Sequence, residues 1–98
     1  MVKAVVIDPQ DNVATAVEDI MAGEQIVLDL AGTTITLQVI HAIPFGHKVA
    51  VVPIPRGSQV IKYGESIGTA IQDIQPGEHV HVQNLASNRG RGDLQSKG

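Results

Sequence analysis

His79 and His81, within Gly77-Glu78-His79-Val80-His81-Val82-Gln83-Asn84-Leu85, are the side chains of this 98-residue sequence best placed to do chemistry. In a strand both imidazoles point to one face, roughly 7 Å apart, because side chains alternate with period two. Val80 and Val82 then face the core. Neutral imidazoles on one face can ligate a divalent metal or move protons near pH 7. The plain alternative is a solvated pair on an edge strand. The other two histidines, His41 and His47, bracket Ala42-Ile43-Pro44-Phe45-Gly46. Pro fixes φ and Gly adds freedom, so this loop could hold the two rings together, or it is an ordinary strand connection. No carboxylate completes a cluster: Glu78 adjoins His79 and points to the opposite face. No phosphate-binding glycine loop, Ser/His/Asp order or cysteine nucleophile is present. Any catalytic site here is partial, so the chain reads as a contributor to a site. Lys62 and Tyr63, at a strand end entering the turn at Gly64, could hydrogen-bond a carboxylate ligand, or form a plain surface pair.

These side chains must be positioned by strands. Val2 to Ile7 is rich in valine, Gln25 to Leu30 is strand-like, and Thr33 to Ile40 places Ile35, Leu37 and Val39 on one face and Thr34, Thr36 and Gln38 on the other. Ala31-Gly32 joins the latter two as a hairpin turn. His47 to Val52, Ser58 to Tyr63 and His79 to Leu85 are further strands, with Pro53 to Gly57 a loop or edge because proline cannot donate to a ladder. Two short helical stretches are expected. Asn12 caps Val13 to Met21, where Val13, Ala16, Val17 and Ile20 share a face, and a single turn covers Gly68 to Ile74. A recurring unit ties these elements together. Asp19-Ile20-Met21-Ala22-Gly23-Glu24-Gln25-Ile26 and Asp73-Ile74-Gln75-Pro76-Gly77-Glu78-His79-Val80 are near copies, and Pro53-Ile54-Pro55-Arg56-Gly57-Ser58-Gln59-Val60 keeps the Ile, Gly and Val. The copies predict one turn geometry used three times, with glycine at positive φ and a strand following. Their unequal spacing argues against a solenoid.

The length predicts one domain, read as residues 1–85, with a flexible polar tail over 86–98. One Phe, one Tyr and no Trp leave the core to Val, Ile, Leu and Ala. A net charge of -3 without a basic stripe argues against nucleic acid. The absence of cysteine excludes disulfides and thiolate metal sites. No apolar run approaches the ~20 residues of a membrane helix, and the first residues lack a signal h-region. A cytoplasmic protein is the expectation. Arg91-Gly92-Asp93 in the tail is read as chance.

Three linked stretches carry a resemblance. His-x-Ile-Pro-x-Gly-His-Lys-Val-Ala (41–50), Val-Ile-Lys-Tyr-Gly-Glu-x-Ile-Gly-x-Ala (60–70) and Asp-Ile-x-x-Gly-Glu-His-Val-His-Val (73–82) resemble the small domain of the altronate and galactarate dehydratase family. The resemblance covers about residues 12–85. It implies an all-β, compact β-clip (SAF-type) domain, here with the short helical turns noted above. It also implies the small subunit of a two-subunit lyase acting on a sugar acid such as altronate or galactarate, or on a related 2-hydroxy acid such as sulfolactate. The partner would be a large catalytic subunit holding a divalent metal, iron in many members, and the small chain on its own would be inactive and could form a homo-oligomer. His41, His47, His79 and His81 are then candidates for the shared site, with His79 and His81 as possible metal ligands and Lys62 and Asn84 as candidates for substrate binding. The family pattern ends Gly-Glu-His-Val-His-x-His-Asn, and Gln83 stands here in place of its third histidine. The alternative is a non-catalytic SAF or β-clip module that binds carbohydrate or a partner protein.

Overall fold

The structure, a computed structural model, describes residues 3–30 and 32–87. These residues form nine short strands and no helix: β1 (Ala4–Val5), β2 (Val13–Ala16), β3 (Gln25–Leu30), β4 (Thr33–Gln38), β5 (Lys48–Ala50), β6 (Gln59–Lys62), β7 (Glu65–Ala70), β8 (His79–Val80) and β9 (Leu85–Ser87). All pairings are antiparallel. One sheet has the order β1-β2-β5-β8, β3 and β4 form a hairpin, and β6-β7-β9 make a third sheet. No helix among the described residues is long and apolar enough to cross a membrane.

The repeated sequence unit is a repeated turn. Gly23, Gly57 and Gly77 have φ of 90°, 89° and 91°, and the strands β3, β6 and β8 begin two residues after them. In each, the residue after the glycine donates its N–H to the carbonyl three residues back, from Glu24 to Met21, Ser58 to Pro55 and Glu78 to Gln75. Positive φ at the third turn position is the type II geometry that glycine meets without steric penalty. The structure adds a fourth copy. Gly46 has φ 85°, and His47 N–H donates to Pro44 O at 2.9 Å.

The four turns close in two pairs. Ile20 and Ile43 exchange both backbone hydrogen bonds, and so do Ile54 and Ile74. Each pair is locked by an aspartate: Asp19 Oδ1 accepts from Phe45 N–H and Asp73 Oδ1 from Arg56 N–H. Each also carries a glutamate folded back on its own turn, Glu24 accepting from Met21 N–H and Glu78 from Gln75 N–H. The four isoleucines are almost wholly buried, which is why this position is held in every copy.

Sheet β1-β2-β5-β8 lies between two apolar clusters. Ala14, Ala16, Val49 and Val51 pack into one with Ile20, Leu28, Val39 and Ile43, while Val13, Ala50 and Val80 join Ile54, Val60 and Ile74 in the other. This corrects the helix expected over Val13 to Met21. A strand covered on both faces shows no period-two alternation, so its apolar residues mimic a helical face. Asn12 caps no helix. Its Oδ1 accepts from Ile61 N–H and its Nδ2 donates to Gln59 O, tying β6 to the loop before β2. The turn expected over Gly68 to Ile74 is also corrected: Gly68 to Ala70 belong to β7, where Gly68 lies flat against the backbone of Ala86. The expected strand His79 to Leu85 is two strands in different sheets separated by a turn. Val82, expected in the core, is 76% exposed. β9 runs to Ser87; the rest of the tail, with Arg91-Gly92-Asp93, lies outside the described residues.

Candidate functional site

His47 leaves the fourth glycine turn at the head of β5, and His79 opens β8 one turn-pair later. Because β5 and β8 are antiparallel neighbours with Val49 opposite His79, the two imidazoles meet. His47 Nδ1 lies 2.8 Å from His79 Nε2. His81 completes the group. Its ring centroid is 4.5 Å from that of His47 and 5.4 Å from that of His79, and the three rings are within 24° of parallel. One nitrogen from each ring lies within 4.8 Å of the others.

A buried amide presents His81. β8 stops at Val80, and Asn84, 1% exposed, accepts from His81 N–H through Oδ1 at 3.0 Å and donates to His79 O through Nδ2 at 2.9 Å. The backbone of Asn84 and Leu85 donates back to His81 O. Both ends of the Asn84 amide are thus engaged on the segment that carries the two histidines. Gln83, exposed, donates to the same His79 carbonyl at 3.0 Å. His41 is exposed and stands outside the three-ring cluster. Lys62 is half-buried at the end of β6, with Nζ 4.9 Å above the Tyr63 ring. Glu78 is folded onto its own turn, accepting from Gln75 N–H, and does not join the rings.

The hydrogen bond between His47 and His79 needs one donor and one acceptor, so only one of the two facing nitrogens carries a proton. Burial, reinforced by the charges of His47, His81, His41 and Lys48, lowers the pKa of His79, and burial followed by His47 and Lys48 lowers that of His81. Both are thereby kept neutral near pH 7, the form that accepts a proton or binds a metal. Their folded values lie below the ordinary 6.5, so the unfolded chain binds more protons just below that pH and stability falls as the pH drops through it. Asp11 and Glu24 titrate below their ordinary 3.8 and 4.5, so their contribution is lost only at lower pH. Thermal melts from about pH 7.5 to 5.5 should show a falling Tm, and the slope should flatten in the His79→Ala/His81→Ala variant. An equal slope in that variant would remove the histidines as its cause.

The donor set suits a borderline divalent ion such as iron or zinc. A metal–nitrogen bond of about 2.0–2.1 Å puts adjacent ligands roughly 3 Å apart, close to the 2.8 Å separating His47 from His79. No carboxylate joins the cluster among the described residues, so any further ligand would come from outside it.

Sequence reasoning paired either His41 or His47 with the C-terminal histidines and left the choice open. The signal that selects His47 was present: Ile43-x-x-Gly46 has the spacing of the other three turns, so His47 closes the turn directly before a strand, whereas His41 precedes the turn. The absence of the Asp and Glu that flank the first and last copies obscured it, although Pro44 matches Pro55 of the copy at 53–60.

Comparison with known proteins places these features in context. The model of the altronate/galactarate dehydratase SAF domain matches residues 2–88. The (2R)-sulfolactate sulfo-lyase subunit alpha of Chromohalobacter salexigens is 40% identical over 89 residues, covering 87% of this chain and 94% of that subunit. Altronate dehydratase of Bacillus subtilis is 42% identical over 82 residues, and that of Escherichia coli 42% over 78. The match takes in 84% and 80% of this chain but spans only 16% and 15% of those two enzymes.

Proposed function

Since the chain belongs to the altronate/galactarate dehydratase SAF-domain family, we propose that it is the small component of a lyase acting on a hydroxy acid. The substrate class is a sugar acid such as altronate or galactarate, or a shorter acid such as sulfolactate. The observation that carries this reading is the cluster His47–His79–His81, a set of proton-accepting groups that no carboxylate joins among the described residues. Such a set serves a site that another chain or domain completes. The near full-length match to a subunit named alpha supports a separate larger partner.

In this reading the larger partner binds the acid against the histidine face. A neutral imidazole, His81 or His79, takes the proton α to the carboxylate, and a protonated ring can return a proton to the departing β-substituent. The shared proton between His47 and His79 lets charge arriving on one ring pass to its neighbour. A divalent metal, iron in the first instance, carried mainly by the partner would supply Lewis-acid stabilisation of the developing negative charge. If that ion reaches the interface, His47, His79 and His81 are the nitrogens this chain offers it.

The test is reconstitution with the larger chain, followed by a screen over hexonates, hexarates and sulfolactate. The isolated chain should show no turnover, and the complex should eliminate water or sulfite from one acid class. Full activity of the larger chain alone would return the domain to the role of a non-catalytic binding module.

A further inference from the structure

A groove of ≈ 460 Å³ adjoins the imidazoles, lined among others by Lys48, Lys62, Ser66, His81, Leu85 and Ser87. Its two cations differ from the other well-placed lysine of the domain. Lys3 pairs with Glu24 at 2.6 Å and Glu18 at 4.0 Å, whereas neither Lys48 nor Lys62 has an ion pair among the described residues. Both are half-buried. Both side chains line the same groove. Two like charges facing one groove repel each other, and an anion held between them would offset that repulsion. The overall charge of -3 makes this positive spot a local arrangement, not a general property of the surface.

We propose that the Lys48–Lys62 groove is an anion subsite that takes one acidic end group, carboxylate or sulfonate, of a substrate whose adjacent carbons face His81. Assigning the anion to the substrate rests on the lyase reading above; the binding itself does not. The chemistry selects a dianionic acid. One acidic group lies adjacent to the proton removed at the histidines, and a second is needed to fill the lysine groove. The apolar side chains of Ile67, Val82 and Leu85 along the same groove would exclude water from that contact and strengthen it.

The experiment titrates malonate and sulfoacetate into the full chain, isotopically labelled, and follows amide resonances, with sodium chloride at matched ionic strength as the control. Saturable shifts at Lys48, Lys62, Ser66 and Ser87 are expected with the dianions and not with chloride. Lys62→Gln should weaken binding by about tenfold or more, the worth of one charge-assisted hydrogen bond. Lys48→Gln should do the same, and Arg56→Gln, at an exposed turn elsewhere, should change nothing. Shifts that follow ionic strength alone, or unchanged binding in both lysine variants, overturn the subsite. If malonate binds as described but the reconstituted complex turns over no acid, the lyase reading fails and the groove stands. If the complex is active and Lys62→Gln leaves KM unchanged, the groove is not where the substrate's acidic end sits.

Discussion

Replacing His81 with alanine is expected to leave the domain folded and to remove most of the turnover of a reconstituted complex. The backbone of His81 is held by Asn84 and Leu85 whatever its side chain, so truncation, which removes only the ring stacking on His47 and His79, should cost about 1 kcal/mol or less. A positioned acid–base group typically contributes ~10²–10⁴-fold to rate, and loss of that order is the expected reading. His79→Ala should behave similarly in rate with a slightly larger effect on stability, because it also breaks the 2.8 Å contact with His47. His41→Ala, at an exposed position outside the cluster, is the internal control and should keep most of the activity. The measurement is kcat of the complex with folding and subunit association checked separately. Full turnover in the His79→Ala/His81→Ala variant would leave the rings as solvated edge residues.

The second large effect falls on the backbone. Gly77→Ala is expected to destabilise the domain by about 3–5 kcal/mol or to prevent folding, in the range reserved for a specific steric mechanism. Gly77 sits at φ 91°, and a Cβ there would meet Gln38 O at 2.0 Å. Retreat is blocked, because Gly77 N–H donates to Ala50 O and its carbonyl accepts from Ile40 N–H, both at 2.8 Å. Gly57 has the same φ but open space around the added carbon, so Gly57→Ala should show only the left-handed backbone penalty of about 1–2 kcal/mol. Urea unfolding of the two variants checks the contrast. Equal losses would mean that the Gln38 carbonyl moves aside and that only backbone conformation matters.

Much of this architecture was legible where one residue type has one physical use. Glycine three residues after a buried isoleucine identified three of the four turns, and the alternation of Ile35, Leu37 and Val39 with Thr34, Thr36 and Gln38 identified one strand of the hairpin. Reading failed where burial is two-sided or where a side chain overrides a pattern. Val13 to Ala16 lies between two cores and therefore carries no alternation. The break after Val80 is set by the amide of Asn84, and no periodicity reports a side-chain hydrogen bond. For the same reason the meeting of His79 with His81 was anticipated for the wrong geometry: a turn, not an extended strand, folds His81 toward its neighbours. The groove at Lys48 and Lys62 is lined by side chains from β5 and β6, strands of two different sheets, which neither segment states alone.

The paired turns have a consequence for the order of folding. Each hairpin, β3–β4 and β6–β7, can form from neighbours in sequence, but His47 and His79 are separated by 32 residues and belong to different turn pairs. Their ring contact exists only after the Ile20–Ile43 and Ile54–Ile74 closures have docked through β5 and β8. Contacts of such long loop closure form late and slow the overall rate. A chain in which only the two hairpins had formed would lack the three-ring cluster, which requires β5 and β8 to be in register.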